Sequence, residues 1–179
     1  SRAWAQPMTW ENFTLANFWF TFFEYSSTRL AIVNTLELGI MTACVGAGLV
    51  ALLAYITNRR IIPGHQILGF LALAPVVIPG VVLAVGLFIA YTRPPLLLYG
   101  TLWILFVAYL TKEMPGGYSQ SDATFRGIHP VLEEAGRILG AGRLRVLREI
   151  TAPLALSGII ATWCFIFIGV IRELSASII

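Results

Sequence analysis

Charge is what this sequence is shortest of. Only 12% of its 179 residues are charged, against 58% hydrophobic, and the mean hydropathy is +0.80. A water-soluble domain carries about a quarter charged residues, so there are too few polar groups here to cover a soluble globule. The chain is expected in a lipid bilayer. Its net charge of +3 then reports topology, loop by loop, and not a nucleic-acid footprint. Cysteine is scarce too: Cys44 and Cys164 sit inside apolar runs, where they read as small packing residues without the paired spacing of a disulfide framework. The two histidines, His65 and His129, fall in separate loops and read as solvated. No His/Asp/Glu cluster at ligand spacing and no nucleophile–base pair lies in the apolar segments. No metal ligand and no catalytic residue is therefore assigned, and a membrane-embedded hydrolase finds no support. A basic n-region leading into an apolar h-region is lacking, so no cleavable signal peptide is read. The chain opens without methionine and closes on the apolar LSASII; both ends are expected to be cuts in a longer chain.

What is present is helical greasy sequence. Four apolar segments approach the roughly 20 residues that cross a bilayer: about 30–57, 67–91, 96–111 and 156–179. The third is short and is expected to recruit its flanks. Backbone polar groups in lipid must be satisfied within a segment or in a closed barrel, and the alternating rhythm of barrel strands is absent. The expected fold class is therefore all-α, a polytopic membrane bundle with about four spans in this piece. Basic residues concentrate on alternate loops. Arg59, Arg60 and His65 follow the first span, while Lys112, Arg126, Arg137, Arg143, Arg145 and Arg148 follow the third. The positive-inside rule makes these loops cytoplasmic. Residues 1–29, with Trp4, Trp10 and Trp19, are then an external aromatic loop, and residues 30–179 a transmembrane domain with a cytoplasmic loop over 112–153. Gly39, Ala43, Gly46, Ala47 and Gly48 let neighbouring helices approach the first span. Pro75, Pro79 and Gly80 kink or break the second, which suits either a transport pathway or a plain bundle kink. Arg172 and Glu173 are costly charges in the last span. They either line a translocation path or form an interhelical ion pair or an interfacial head group.

The stretch EEAGRILGAGRLRVLREITAP, Glu133 to Pro153, interrupts the apolar runs. Pro130 suits a helix start, and Glu133 and Glu134 favour the first turn. Val131, Leu132, Ala135, Ile138 and Leu139 recur as one apolar stripe. Gly140 is a natural left-handed stop, and Gly142 allows a second bend. Leu144, Leu147 and Ile150 form a further stripe that Pro153 closes. An amphipathic helix lying on the membrane and a knob docking into another protein both fit this pattern.

The spacing resembles the cytoplasmic EAA signature of ABC-importer permeases. Glu134-Ala135-Gly136 is followed by Gly140, Ile150 and Pro153 at the signature's intervals, with Gly136 and Ala152 as small departures. A mid-helix glycine at 136 costs about 1 kcal/mol relative to alanine and is expected to loosen the helix. LAPVVIPGVVLAVGL (Leu73 to Leu87), LYGTLWILFVAYLTKEMP (Leu98 to Pro115) and RELSAS (Arg172 to Ser177) look like the iron(III)-type branch, and TLANFWF with IVNTLELG resembles its external loop. The resemblance implies a type I importer transmembrane domain in a bacterial or archaeal cytoplasmic membrane. It implies that Glu134, Ala135, Gly136, Gly140, Ile150 and Pro153 couple the chain to ABC ATPase subunits that bind ATP and Mg. An extracytoplasmic substrate-binding protein and a second permease half or second copy are the other implied partners. The chain has no GxxxxGK[ST], in line with a transport subunit whose hydrolysis is supplied elsewhere. Arg172, Glu173, Pro75, Pro79 and Gly80 become candidates for the path. A secondary transporter and a non-catalytic assembly subunit are the alternatives; the first would run on an ion gradient without ATP.

Overall fold

The computed structural model describes residues 15–95 and 97–173. Trp4, Trp10, Ser175 and Ser177 lie outside the described residues. Among those described, every regular element is helical, as expected of segments that must satisfy their own backbone in lipid. Two compact units divide the chain, 1–37 and 38–179. In the first, Ala16–Trp19 makes one helical turn and Phe20–Glu24 a π-helical one, where a loop was expected. The Trp19 and Phe23 rings, four residues apart and so on one side of the turn, lie with centroids 4.5 Å apart. Helix α1, Ser26–Asn58, starts here and continues into the second unit.

In the second unit α1 buries Ala43, Ala47, Val50, Ala51 and Ala54, a small-residue face at helical spacing. Helix α2, His65–Leu73, leads through a 3-10 turn, Ala74–Val77, to helix α3, Gly80–Tyr91. The two arms are bent by 108°. Pro75 opens the 3-10 turn and Pro79 is extended at ψ 139°, so the break falls where two prolines remove amide donors.

Helix α4 is Leu102–Gly127 and corrects two expectations. It does not stop at Thr111, and Lys112 and Glu113 are helical positions, not loop residues. Pro115 is buried inside it. A proline and two glycines disfavour a helix interior, yet KEMPGG is held helical by packing. A Cβ on Gly117 would lie 3.0 Å from Ile166 Cδ1 and 3.4 Å from Val50 Cγ2, so three helices meet at that glycine.

Helix α5, Val131–Ile138, follows. The chain then passes through Arg143–Val146 and a π turn, Leu147–Thr151, into helix α6, Ala152–Arg172. Pro153 was expected to close a separate short helix. Instead it lies in the first turn of α6, and Arg143–Arg172 runs as one helical stretch. The π turn just before it widens the backbone, relieving the clash a proline ring makes with the preceding turn. α6 packs antiparallel on α4, with Thr124 against Gly158, Ser121 Oγ 3.3 Å from Thr162 Oγ1, and Glu113 against Gly169. At the far end Lys112 Nζ pairs with Glu173, which places Lys112 well away from the loop residues it was grouped with.

Among the described residues Thr28–Asn58 and Arg143–Arg172 are long and apolar enough to cross a membrane, and the bent α2–α3 pair adds a third if taken as one broken span. α4 has the length, but Lys112, Glu113, Asp122 and Arg126 dilute its apolar character.

Candidate functional site

The elements with the densest polar contacts meet at the Asn58 end of the bundle. Asn58 Nδ2 donates to Asp122 Oδ1 at 2.6 Å, and Thr57 Oγ1 lies 2.9 Å from Tyr118 Oη, tying α1 to α4. Beside them sits α5, with an inverted amphipathic pattern. Its inner face is Glu133 and Gly136, both buried. Its outer face is apolar: Val131 and Leu132 are exposed, Ile138 is 85% exposed and Leu139 88%. A surface helix of a folded protein turns its apolar stripe to the core; this one presents it.

Two local devices shape the helix. Gly140 has φ 86°. Its N–H donates to Arg137 O at 2.9 Å, while Ala141 N–H donates to Gly136 O at 3.1 Å. These paired bonds are the Schellman stop that glycine makes without a Cβ penalty. Gly136 answers to packing, because a Cβ there would lie 2.7 Å from Ile150 Cδ1 and 3.2 Å from Val146 Cγ2. The expected loosening is thus offset by close approach: Gly136 lets α5 settle onto the stretch that leads into α6. Two residues of the EAA-like set, Gly136 and Ile150, touch each other. Glu134 and Ala135 are exposed, as are Gly140 and Pro153.

Sequence reasoning missed the buried acid. Glu133, 2% exposed, was read only as a helix-dipole residue. Its Oε1 accepts from Arg59 Nε at 2.7 Å and from Thr151 Oγ1 at 3.0 Å, and its Oε2 lies 3.6 Å from Arg137 Nη2. Arg59 Nη2 also donates to Ile128 O at 3.0 Å. Removing one partner from such a buried pair costs about 3–5 kcal/mol, since the other charge is stranded. The available signal was phase: at 3.6 residues per turn Glu133 lies about 160° from Ala135 and about 120° from Leu139 around the helix, off the apolar stripe.

The other sequence candidates separate into two places. Arg172 and Glu173 border a cavity of about 330 Å³ with Glu113, Phe165, Ile168 and Gly169. Among the described residues Pro75, Pro79 and Gly80 do not line it; they form the break between α2 and α3. Glu173 is in the interhelical ion pair with Lys112, its side chain 11% exposed, and Arg172 is exposed.

These features describe an integral membrane protein, a helical bundle with a broken apolar segment and a short helix whose apolar face is exposed among the described residues. No protein-family model matches the sequence. An ABC transporter permease protein of Streptomyces antibioticus, ORF1, is 31% identical over 161 residues, 89% of this chain and 69% of ORF1. The trehalose transport system permease protein SugB of Mycobacterium tuberculosis is 29% identical over 138 residues, 77% of this chain and 50% of SugB. The Fe(3+)-transport system permease protein FbpB 2 of Haemophilus influenzae is 26% identical over 102 residues, 57% of this chain and 20% of its own length. The chain belongs to the ABC transporter permeases, and it spans half or less of the trehalose and Fe(3+) relatives.

Proposed function

We propose that this chain is the membrane permease subunit of an ATP-driven importer in a bacterial or archaeal cytoplasmic membrane, and that α5 couples it to a separate ATPase. The observation that carries the reading is the outward apolar face of α5, mounted on a buried ion pair and ended by a left-handed glycine. Helix-in-groove recognition needs such a face. Glu134, Ala135, Gly136, Gly140, Ile150 and Pro153 are the coupling set. ATP and Mg belong to the partner. When two ATPases close on ATP, helices docked in their grooves are carried with them as rigid bodies. An extracytoplasmic binding protein and a second permease half or second copy complete the machine.

Cargo is proposed to pass beside Arg172 and Glu173, with the Pro75–Pro79–Gly80 break as the flexible wall of the path. Iron(III) is the cargo to test first, supported by the likeness of three segments to iron(III)-type permeases. Trehalose is the competing cargo, since a relative named for it matches at a similar level. Uptake of radioactive iron(III) and of labelled trehalose in a strain expressing the complete system decides between them.

The coupling is tested with Ile138→Asp and Leu139→Asp. A charge on a buried interface anchor costs about 2 kcal/mol or more, so co-purification with the ATPase should weaken by at least about tenfold. ATPase association and transport undiminished in both variants, and in Glu134→Ala and Gly140→Ala, would sink the assignment.

A further inference from the structure

A push on the outer face of α5 reaches the spans through its short chain connections, residues 128–130 and 139–142, and through the contacts of its inner face. Among the described residues, the hydrogen bonds from α5 side chains to other helical stretches run through Glu133. One oxygen, Oε1, holds both Arg59 and Thr151. Arg59 follows directly on the end of α1, its N–H still donating to Tyr55 O at 3.0 Å. Thr151, fully buried, ends the π turn at the head of α6. Glu134, the acid that matches the signature, is exposed and has no such tie.

We infer that Glu133 is the positioning residue of coupling, the strut that turns a displacement of α5 into a joint displacement of α1 and α6. The inference rests on the reading of α5 as the docking helix. Fold stability does not explain the choice of residues, because apolar side chains of similar volume commonly replace a buried ion pair without loss. What they lack is direction. Charge-assisted hydrogen bonds converging on a single oxygen fix the orientation of α5 against both neighbours. The Gly136–Ile150 contact resists compression, whereas the Glu133 bonds also resist withdrawal.

The test uses the transporter assembled with its ATPase in lipid nanodiscs. Cys44 and Cys164 are replaced by serine, and Ile168→Cys, on the cavity at the far end of α6, is the reporter. That position lies about 25 Å along the helix from Thr151, so a change there reports transmission and not local fit. The readout is the rate of reaction with a water-soluble maleimide, with and without ATP plus vanadate. In the parent, ATP changes this rate. In Arg59→Met/Glu133→Leu the change shrinks about tenfold, the size of an ordinary coupling between sites, although the ATPase co-purifies in equal amount. Thr151→Val, isosteric and lacking only the hydroxyl, shrinks it about threefold, the size of one hydrogen bond. If the double variant does not assemble, Thr151→Val decides. Variants that respond to ATP as fully as the parent overturn the inference and leave docking intact. A parent that does not respond to ATP overturns the docking reading, and the inference with it.

Discussion

At the scale of single residues, two glycines in α5 have opposite reasons to be glycine. Gly140 is held at φ 86°, where a side chain costs about 1–2 kcal/mol. Gly140→Ala should therefore fray the Schellman stop, and Gly140→Asn should restore part of the loss, because asparagine tolerates that conformation. Faster amide hydrogen exchange at Ala141 in the alanine variant, partly reversed in the asparagine one, is the expected result. Gly136 has ordinary backbone geometry but no room. Gly136→Ala gains about 1 kcal/mol of helix propensity and loses it again by displacing Ile150 Cδ1, which would lie 2.7 Å away. Adding Ile150→Val removes that atom. The double variant should melt at a higher temperature than Gly136→Ala alone; equal melting temperatures would show that Ile150 is not what Gly136 accommodates. The glycine stop was legible in the sequence because φ preference is a property of the residue itself. The packing role of Gly136 was not, because it depends on a side chain fourteen positions further on.

At the scale of elements, α4 shows where local rules give way. Lys112-Glu113 ended the apolar run, and Pro115, Gly116 and Gly117 are residues that disfavour a helix interior, yet the helix continues to Gly127. Pairing removes the first objection, since Lys112 meets Glu173, the residue that caps the end of α6. Close packing removes the second, since both glycines take α6 side chains onto their surface. The same interface predicts an asymmetry among glycines. A Cβ on Gly158 would lie 2.8 Å from Thr124 Cβ, an atom fixed to the α4 backbone, while one on Gly48 would meet nothing within 4 Å. Overpacking of this kind costs about 1–3 kcal/mol. Gly158→Ala should lower the thermal midpoint in detergent, whereas Gly48→Ala, with room for its methyl and about 1 kcal/mol of helix propensity to gain, should not lower it; equal effects would show that the α4–α6 pair has slack. The broken α2–α3 pair, in contrast, was readable in advance, because a proline removes its donor whatever surrounds it.

At the scale of the whole molecule, the distribution of basic residues predicts sidedness. In sealed inverted vesicles an impermeant maleimide should label Ile138→Cys from the face on which ATP is supplied and Arg93→Cys, in the connection between α3 and α4, only after permeabilisation, in a background with Cys44 and Cys164 replaced. Labelling of both from the same face would overturn the alternate-loop topology. Membrane residence, the all-helical class, the break at Pro75–Pro79 and the position of a short helix ended by Gly140 are all written in the chain. They follow from lipid solvation and from backbone restrictions that each residue carries with it. The assignment of Glu133 and not Glu134 to the interior, the persistence of α4 through Pro115, the continuity of Arg143–Arg172 and the outward turn of α5's apolar face needed the assembled bundle. Each depends on which side of a helix a distant partner occupies: Arg59 and Thr151 for the acid, Phe165 and Ile166 for the glycines that follow the proline. A charge or a proline is costly alone and tolerated once paired or packed, and no local stretch of sequence contains its partner.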